Sequence, residues 1–140
     1  RQLTRMGFSV KSEKNDLEYA GHSLNGLFAQ RSNLFSPSFL SMLRSMWRFN
    51  SEAPVDIESL VRDITLGEYL TSKNYPEEFI KQYIIPIGAA IWSTAPHKMM
   101  NIPAIFFIRF FENHGLLQIL DRPNWWVIKG GSKRYVERMV

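Results

Sequence analysis

Between Tyr83 and Gly115 the chain carries two strongly apolar segments, Ile84–Trp92 and Ile102–Phe111, split by the turn Ser93-Thr94-Ala95-Pro96. The second segment is apolar on almost every side, leaving Arg109, Glu112 and Asn113 as a narrow polar stripe at helical spacing. A helix of that kind is buried in a core, lines an apolar cavity, or touches a membrane. Its aromatics stand where the two helices would face each other. His114-Gly115 is a stop signal for it.

The rest of the pattern falls into short units. Met6–Val10 and Leu17–Ala20 read as strands joined by the polar turn Lys11–Asp16, a hairpin or an adjacent pair. Gly21–Asn33 reads as irregular. Ser36-Pro37 opens a helix as N-cap and first residue, with Phe39, Leu40, Leu43, Met46 and Trp47 predicted on its apolar face. That amphipathic helix would rest on a domain or on an anionic membrane surface, and its few arginines favour packing.

Pro54 is expected to end the pattern, and Ile57, Leu60, Val61 and Ile64 predict a further short helix. Thr65-Leu66-Gly67-Glu68 fits a capping box whose helix closes at Asn74, and Pro76-Glu77-Glu78 restarts the chain. Ile80, Ile84, Ile87 and Ile91 line one face of the new helix. Pro86 predicts a kink or break near Tyr83–Pro86, and Gly88-Ala89-Ala90 leaves room for a close backbone or a flat ligand. After a turn at Asp121–Asn124, Trp125–Lys129 reads as a strand. Gly130-Gly131 and an N-cap Ser132 then lead into a helix with Tyr135, Val136 and Met139 on its apolar face.

Composition narrows the class. With 140 residues, 45% hydrophobic and 14% aromatic, the chain fits one packed domain spanning 1–140, mainly helical α+β with a few short strands. The absence of cysteine excludes disulfides and thiolate metal sites. No apolar run approaches the ~18 residues of a spanning helix, so no transmembrane segment is expected. The net charge of +4 is scattered over the chain, with neither a basic stripe nor a nucleic-acid motif, so nucleic acid is not an expected partner. The chain starts at Arg1 and stops at Val140 inside a predicted helix, as a piece of a longer protein would.

Chemistry is sparse. His22, His97 and His114 lack metal-ligand spacing, and Ser93 and Ser132 lack a nucleophile-elbow sequence or an evident base. Neither a P-loop nor a G-x-G-x-x-G fingerprint is present. Glu77 and Glu78 read as first-turn charges, and Arg109 is expected to pair with Glu112 or to meet an acidic ligand group. The aromatics exceed what a small core needs, which suits an apolar-ligand site.

Three stretches, Met6–Arg31, Ile84–Gly115 and Trp125–Val140, resemble the middle of bacterial flavin-containing amine-oxidase-type oxidoreductases. The wider superfamily includes monoamine oxidases, protoporphyrinogen oxidase and phytoene desaturases. The similarity covers nearly the whole chain, and IWS…P…FFENHG and GGSKRYVER are its most specific parts.

The resemblance implies a helical substrate-binding domain inserted in a split Rossmann-type FAD domain that lies outside this chain. It also implies hydride removal from a C–N or C–C bond onto FAD. No catalytic residue carries over. Position and residue type give Trp92, Phe106, Phe107, Arg109 and Phe110 as candidates to line a pocket for a small apolar substrate. The piece alone would be inactive and would self-associate through exposed apolar surface. A cytoplasmic location, at most peripheral to a membrane, is expected. The rival expectation is a non-catalytic helical module that binds a lipid or a membrane surface.

Overall fold

The computed structural model describes residues 2–4, 9–12, 17–20, 35–60, 64–118, 125–137 and 139. Expectations for Gly21–Asn33, Val61, His22 and the turn at Asp121–Asn124 lie outside them. The described residues are mainly helical. Four short strands form two separate antiparallel pairs, and no larger sheet is present among them.

Strand β1 (Gln2–Thr4) pairs with β4 (Trp125–Val127), joining segments more than a hundred residues apart in the sequence. Strand β2 (Ser9–Ser12) pairs with β3 (Leu17–Ala20), with Ser9 opposite Ala20 and Ser12 opposite Leu17. The expected antiparallel pair is therefore present, but its first strand takes in Lys11 and Ser12, which were expected in the turn; residues 6–8 and the connection 13–16 lie outside the described residues. Val10 packs against the helical core.

Helix α1 (Pro37–Asp56) begins as its sequence requires: the Phe39 N–H donates to the Ser36 hydroxyl, and Pro37 occupies the first turn. Its inner face is the predicted one in part: Phe39, Leu43 and Met46 turn to the core as expected, Leu40 and Trp47 do not. Phe39, Met42, Met46, Phe49 and Ala53 are buried, whereas Leu40 and Trp47 point outward, Trp47 being 65% exposed. Two apolar stripes run along this helix, and the one containing Phe49 meets the aromatic core, where Tyr69, Tyr75, Phe79, Phe107 and Phe111 surround it.

Pro54 does not end α1 either. Ala53 and the capping residue Ile57 continue the buried stripe past the proline, and packing of that last turn outweighs the missing N–H. Consequently Ile57–Ser59 form a turn rather than the start of a new helix, and Ile64 lies outside any helix.

Thr65 and Glu68 form the predicted capping box on α2 (Leu66–Ser72), the Thr65 N–H donating to the Glu68 carboxylate at 2.8 Å. Asn74 follows with φ 52°, and Pro76 caps α3 (Glu77–Phe79). There Glu77 pairs with Lys81 one turn on. A wide π turn, Ile80–Ile84, joins α3 to α4 (Ile85–Trp92), and the Ile85 N–H donates to the Ile80 carbonyl. The predicted kink takes this form: the wide turn relieves the clash that the Pro86 ring would make with an α-helical carbonyl before it.

Gly88 is buried, and a Cβ there would run into the end of the Met99 side chain and within 3.2 Å of the Phe107 ring. Its missing side chain therefore serves core packing, not a flat ligand. Ser93 closes α4 at φ 48°, and a 3-10 helix (Pro96–Asn101), not foreseen from the sequence, carries Met99 into the core.

Helix α5 (Ala104–Asn113) is held at its start by backbone bonds, Leu66 N–H to Ile102 O at 2.8 Å and Ala104 N–H to Ile64 O at 2.9 Å. At its end Leu116 N–H reaches Phe111 O and Gly115 N–H reaches Glu112 O, the Schellman pattern with Gly115 at φ 63°. Beyond β4, Gly130 and Gly131 take φ 91° and 81° and lead into α6 (Ser132–Val136). Ser132 is that helix's first residue rather than its cap. Val136 and Met139 are exposed, so the predicted apolar face of α6 has no packing partner at those positions.

Candidate functional site

The apolar helix α5 divides its residues between two jobs. Ala104, Phe107, Ile108 and Phe111 face inward and are wholly buried. On the other side Pro103, Ile105, Phe106, Arg109, Phe110, Asn113 and His114 line an open hollow of about 550 Å³. That volume suits a drug-sized ligand. No helix among the described residues is long and apolar enough to cross a membrane.

The hollow is backed by rings. Trp92, at the end of α4, lies 4.7 Å from Phe110 and 5.5 Å from Phe106, centroid to centroid. Phe110 stacks on His114 at 3.9 Å with an 18° tilt. His114 Nδ1 also sits 2.8 Å from the Phe110 carbonyl; a carbonyl only accepts, so Nδ1 carries the proton. This bond fixes the imidazole face against Phe110. The rings of Phe106, Phe110 and His114 recur one helical turn apart along one side of α5.

Of the five predicted pocket residues, Phe106, Arg109 and Phe110 line the hollow. Trp92 supports it from behind. Phe107 belongs to the core instead, stacked on Phe111 at 4.2 Å and fully buried. Two adjacent phenylalanines on a helix point about 100° apart, so one turns in where the other turns out. Pro103, Ile105, Asn113 and His114 were missed as lining; the helical spacing from Phe106 and Arg109 was the signal that could have found them.

Arg109 is the one lining residue with a permanent charge. No ion pair links it to Glu112 among the described residues, contrary to the expected pairing, and Glu112 is not part of the lining. The two residues are three apart, about 60° around the helix axis, and both are exposed.

A polar cluster apart from the hollow's lining ties α1 to α2. Asp56 accepts from the Tyr69 hydroxyl at 2.8 Å and pairs with Lys73 at 2.7 Å. Arg48 donates to the Lys73 carbonyl at 2.6 Å and lies 4.0 Å above the Tyr75 ring. Burial, then the bond to Asp56, drives the Tyr69 pKa far up. Every member has a structural task, so this cluster is a clamp rather than reactive machinery.

No group of three or more His, Asp or Glu able to hold a metal ion occurs among the described residues. Nor do they fit the flavin that the resemblance implies. A dinucleotide pyrophosphate needs a glycine turn between a parallel strand and a helix. Here β4 belongs to an antiparallel pair and α6 has only 5 residues. The Arg134 side chain also fills the space over Gly130, its Cδ 2.7 Å from where a Cβ would stand. The Gly130-Gly131 turn is therefore not a pyrophosphate cradle.

No protein-family model, no curated protein and no solved structure matches this chain.

Proposed function

We propose that this chain is the substrate-binding portion of an FAD-dependent oxidoreductase of the flavin amine oxidase and desaturase superfamily. Its share of the work is to hold an apolar substrate and keep water from it; the flavin is seated by other parts of the protein. One observation carries this reading: the hollow on α5, apolar and ring-lined, lies within the stretch where the resemblance is most specific. Binding by flat apolar walls with one fixed polar group is how small-molecule sites orient a ligand.

The test uses the whole protein that contains this chain. It should purify yellow with flavin absorption bands, and the neutral probe 2-naphthalenemethanol should perturb those bands. In Phe106→Asp the flavin content should persist and the perturbation should disappear. A colourless protein that takes up no flavin on reconstitution would overturn the proposal.

A second reading has one observation in its favour. Leu40, Trp47 and Val55 form an exposed apolar stripe along α1 with Arg44 beside them, as on helices that lie on anionic lipid. On that reading the module binds a lipid or membrane surface without redox chemistry. Co-sedimentation with anionic liposomes that persists at high salt and is lost in Trp47→Ser would support it.

A further inference from the structure

The hollow on α5 is not uniformly apolar, and its one charge bears on the ligand. Arg109 stands in the wall between Phe106 and Phe110, and Asn113 follows one turn on from it. The guanidinium has no carboxylate partner among the described residues, although Glu112 is only three positions away. Arginine presents a planar fork of donors that matches a carboxylate, and the Asn113 amide adds a donor at the same end. A single guanidinium balances a single negative charge, which favours a carboxylate over a doubly charged phosphate.

The remainder of the lining describes the body of the ligand. Pro103, Ile105 and the rings of Phe106 and Phe110 offer apolar surface and no other permanent charge. Phe106 is 50% exposed, so part of its ring is open to the hollow. The stacked Phe110 and His114 rings make this wall flat.

We infer that the substrate is a flat, ring-bearing or unsaturated hydrocarbon ending in one carboxylate. The hydrocarbon lies on Phe106 and Phe110, and the carboxylate is taken by Arg109 with Asn113. This inference rests on the hollow being the substrate site and adds to it the charge of the substrate.

A matched pair of ligands separates the two claims: 2-naphthoate carries the carboxylate, and 2-naphthalenemethanol has the same ring system without charge. Calorimetric titration of the protein should give about tenfold tighter binding for the naphthoate, as expected when a charged hydrogen-bonding partner is engaged. Arg109→Gln should abolish that preference, bringing the naphthoate to the affinity of the alcohol, while Arg109→Lys should restore part of it. Arg109 is exposed, so its variants should fold, and circular dichroism checks that they do. If the alcohol binds as tightly as the naphthoate, or the preference survives Arg109→Gln, the carboxylate inference fails and the hollow stands. If neither ligand binds, the hollow is not a binding site and the inference falls with it.

Discussion

The Tyr69 hydroxyl donates a 2.8 Å hydrogen bond to the Asp56 carboxylate from a side chain that is otherwise wholly buried. The same carboxylate takes Lys73, so the end of α1 is fastened to the end of α2 through one acidic group. Removing the hydroxyl leaves Asp56 with Lys73 but deletes a bond to a charged acceptor. Tyr69→Phe should therefore lower stability by about 1.5 kcal/mol. Urea unfolding should show an earlier midpoint with an unchanged slope. An unchanged midpoint would mean that the clamp does not stabilise the fold.

Tyr75→Phe should behave in the opposite way. Its hydroxyl is buried with no hydrogen bond of good geometry, and only the neighbouring Arg48 guanidinium interacts with it, so little offsets its desolvation cost. The ring, which packs on Phe79 at 5.1 Å and lies under Arg48, is kept in phenylalanine. The variant should be as stable as wild type or slightly more so. A loss as large as that of Tyr69→Phe would show that the hydroxyl is engaged after all.

Alkali should act through the same group of residues. Burial raises the pKa of Tyr69 and of Tyr75, the bond to Asp56 raising the first further and the Arg48 guanidinium opposing the second. The bond to Asp56 raises that of Lys73 as well. A group whose folded pKa lies above its unfolded value contributes stability that is fully present below the unfolded pKa and lost as pH rises through the folded one. The unfolded tyrosine ionises near pH 10, so stability should begin to fall there, by up to about 1.4 kcal/mol per pH unit for each of the two buried tyrosines, the exposed Lys73 adding little because solvent screens it. Unfolding midpoints measured from pH 8 to 11 should decline less steeply in Tyr69→Phe than in wild type.

Local chemistry made much of this fold legible in the sequence. Ser36-Pro37, the Thr65–Glu68 box and the His114-Gly115 stop each satisfy backbone groups within a few residues of themselves, so no distant partner was needed to read them. The inward face of α1 depends on what it packs against. Phe39-Leu40 and Met46-Trp47 offer two stripes of similar hydrophobicity, and only the cluster around Phe49 decides between them. Pro54 misled for the same reason, since Ala53 and Ile57 are held by tertiary packing. At the site, the aromatic pairing of Trp92 with the next helix was visible, whereas Phe106 and Phe107 could not be told apart without knowing which side of α5 met the core.

Gly88 and Met99 should be energetically coupled. A glycine inside a helix costs about 1 kcal/mol relative to alanine, so Gly88→Ala alone would stabilise if space allowed. Instead the added methyl meets Met99 and the Phe107 ring in a filled core, and overpacking of this kind costs about 1–3 kcal/mol. The end of Met99 is flexible and can give way, but the Phe107 ring at 3.2 Å is held in the core, so Gly88→Ala should destabilise slightly. Met99→Ala should also destabilise by opening a cavity, but it vacates the space the new methyl needs. The double variant should lose at least about 1 kcal/mol less than the sum of the singles. Additive losses would show that the two side chains do not compete for one volume.

Phe106 and Phe107 are neighbours in the sequence and should respond to truncation in opposite ways. Phe107 is fully buried, stacks on Phe111 and meets Phe49 edge-on at 6.3 Å, so Phe107→Ala should cost about 3–5 kcal/mol. Phe106 has half its surface in water already, and Phe106→Ala should cost less than about 1 kcal/mol. Binding should show the reverse order of direct effects: Phe106→Ala removes ring surface from the hollow and should weaken 2-naphthoate several-fold in a protein that remains folded. Thermal unfolding and calorimetry on the same two variants measure both quantities. If Phe106→Ala is the more destabilising of the pair, α5 presents its other side to the core, and the hollow with its Arg109 is wrongly placed.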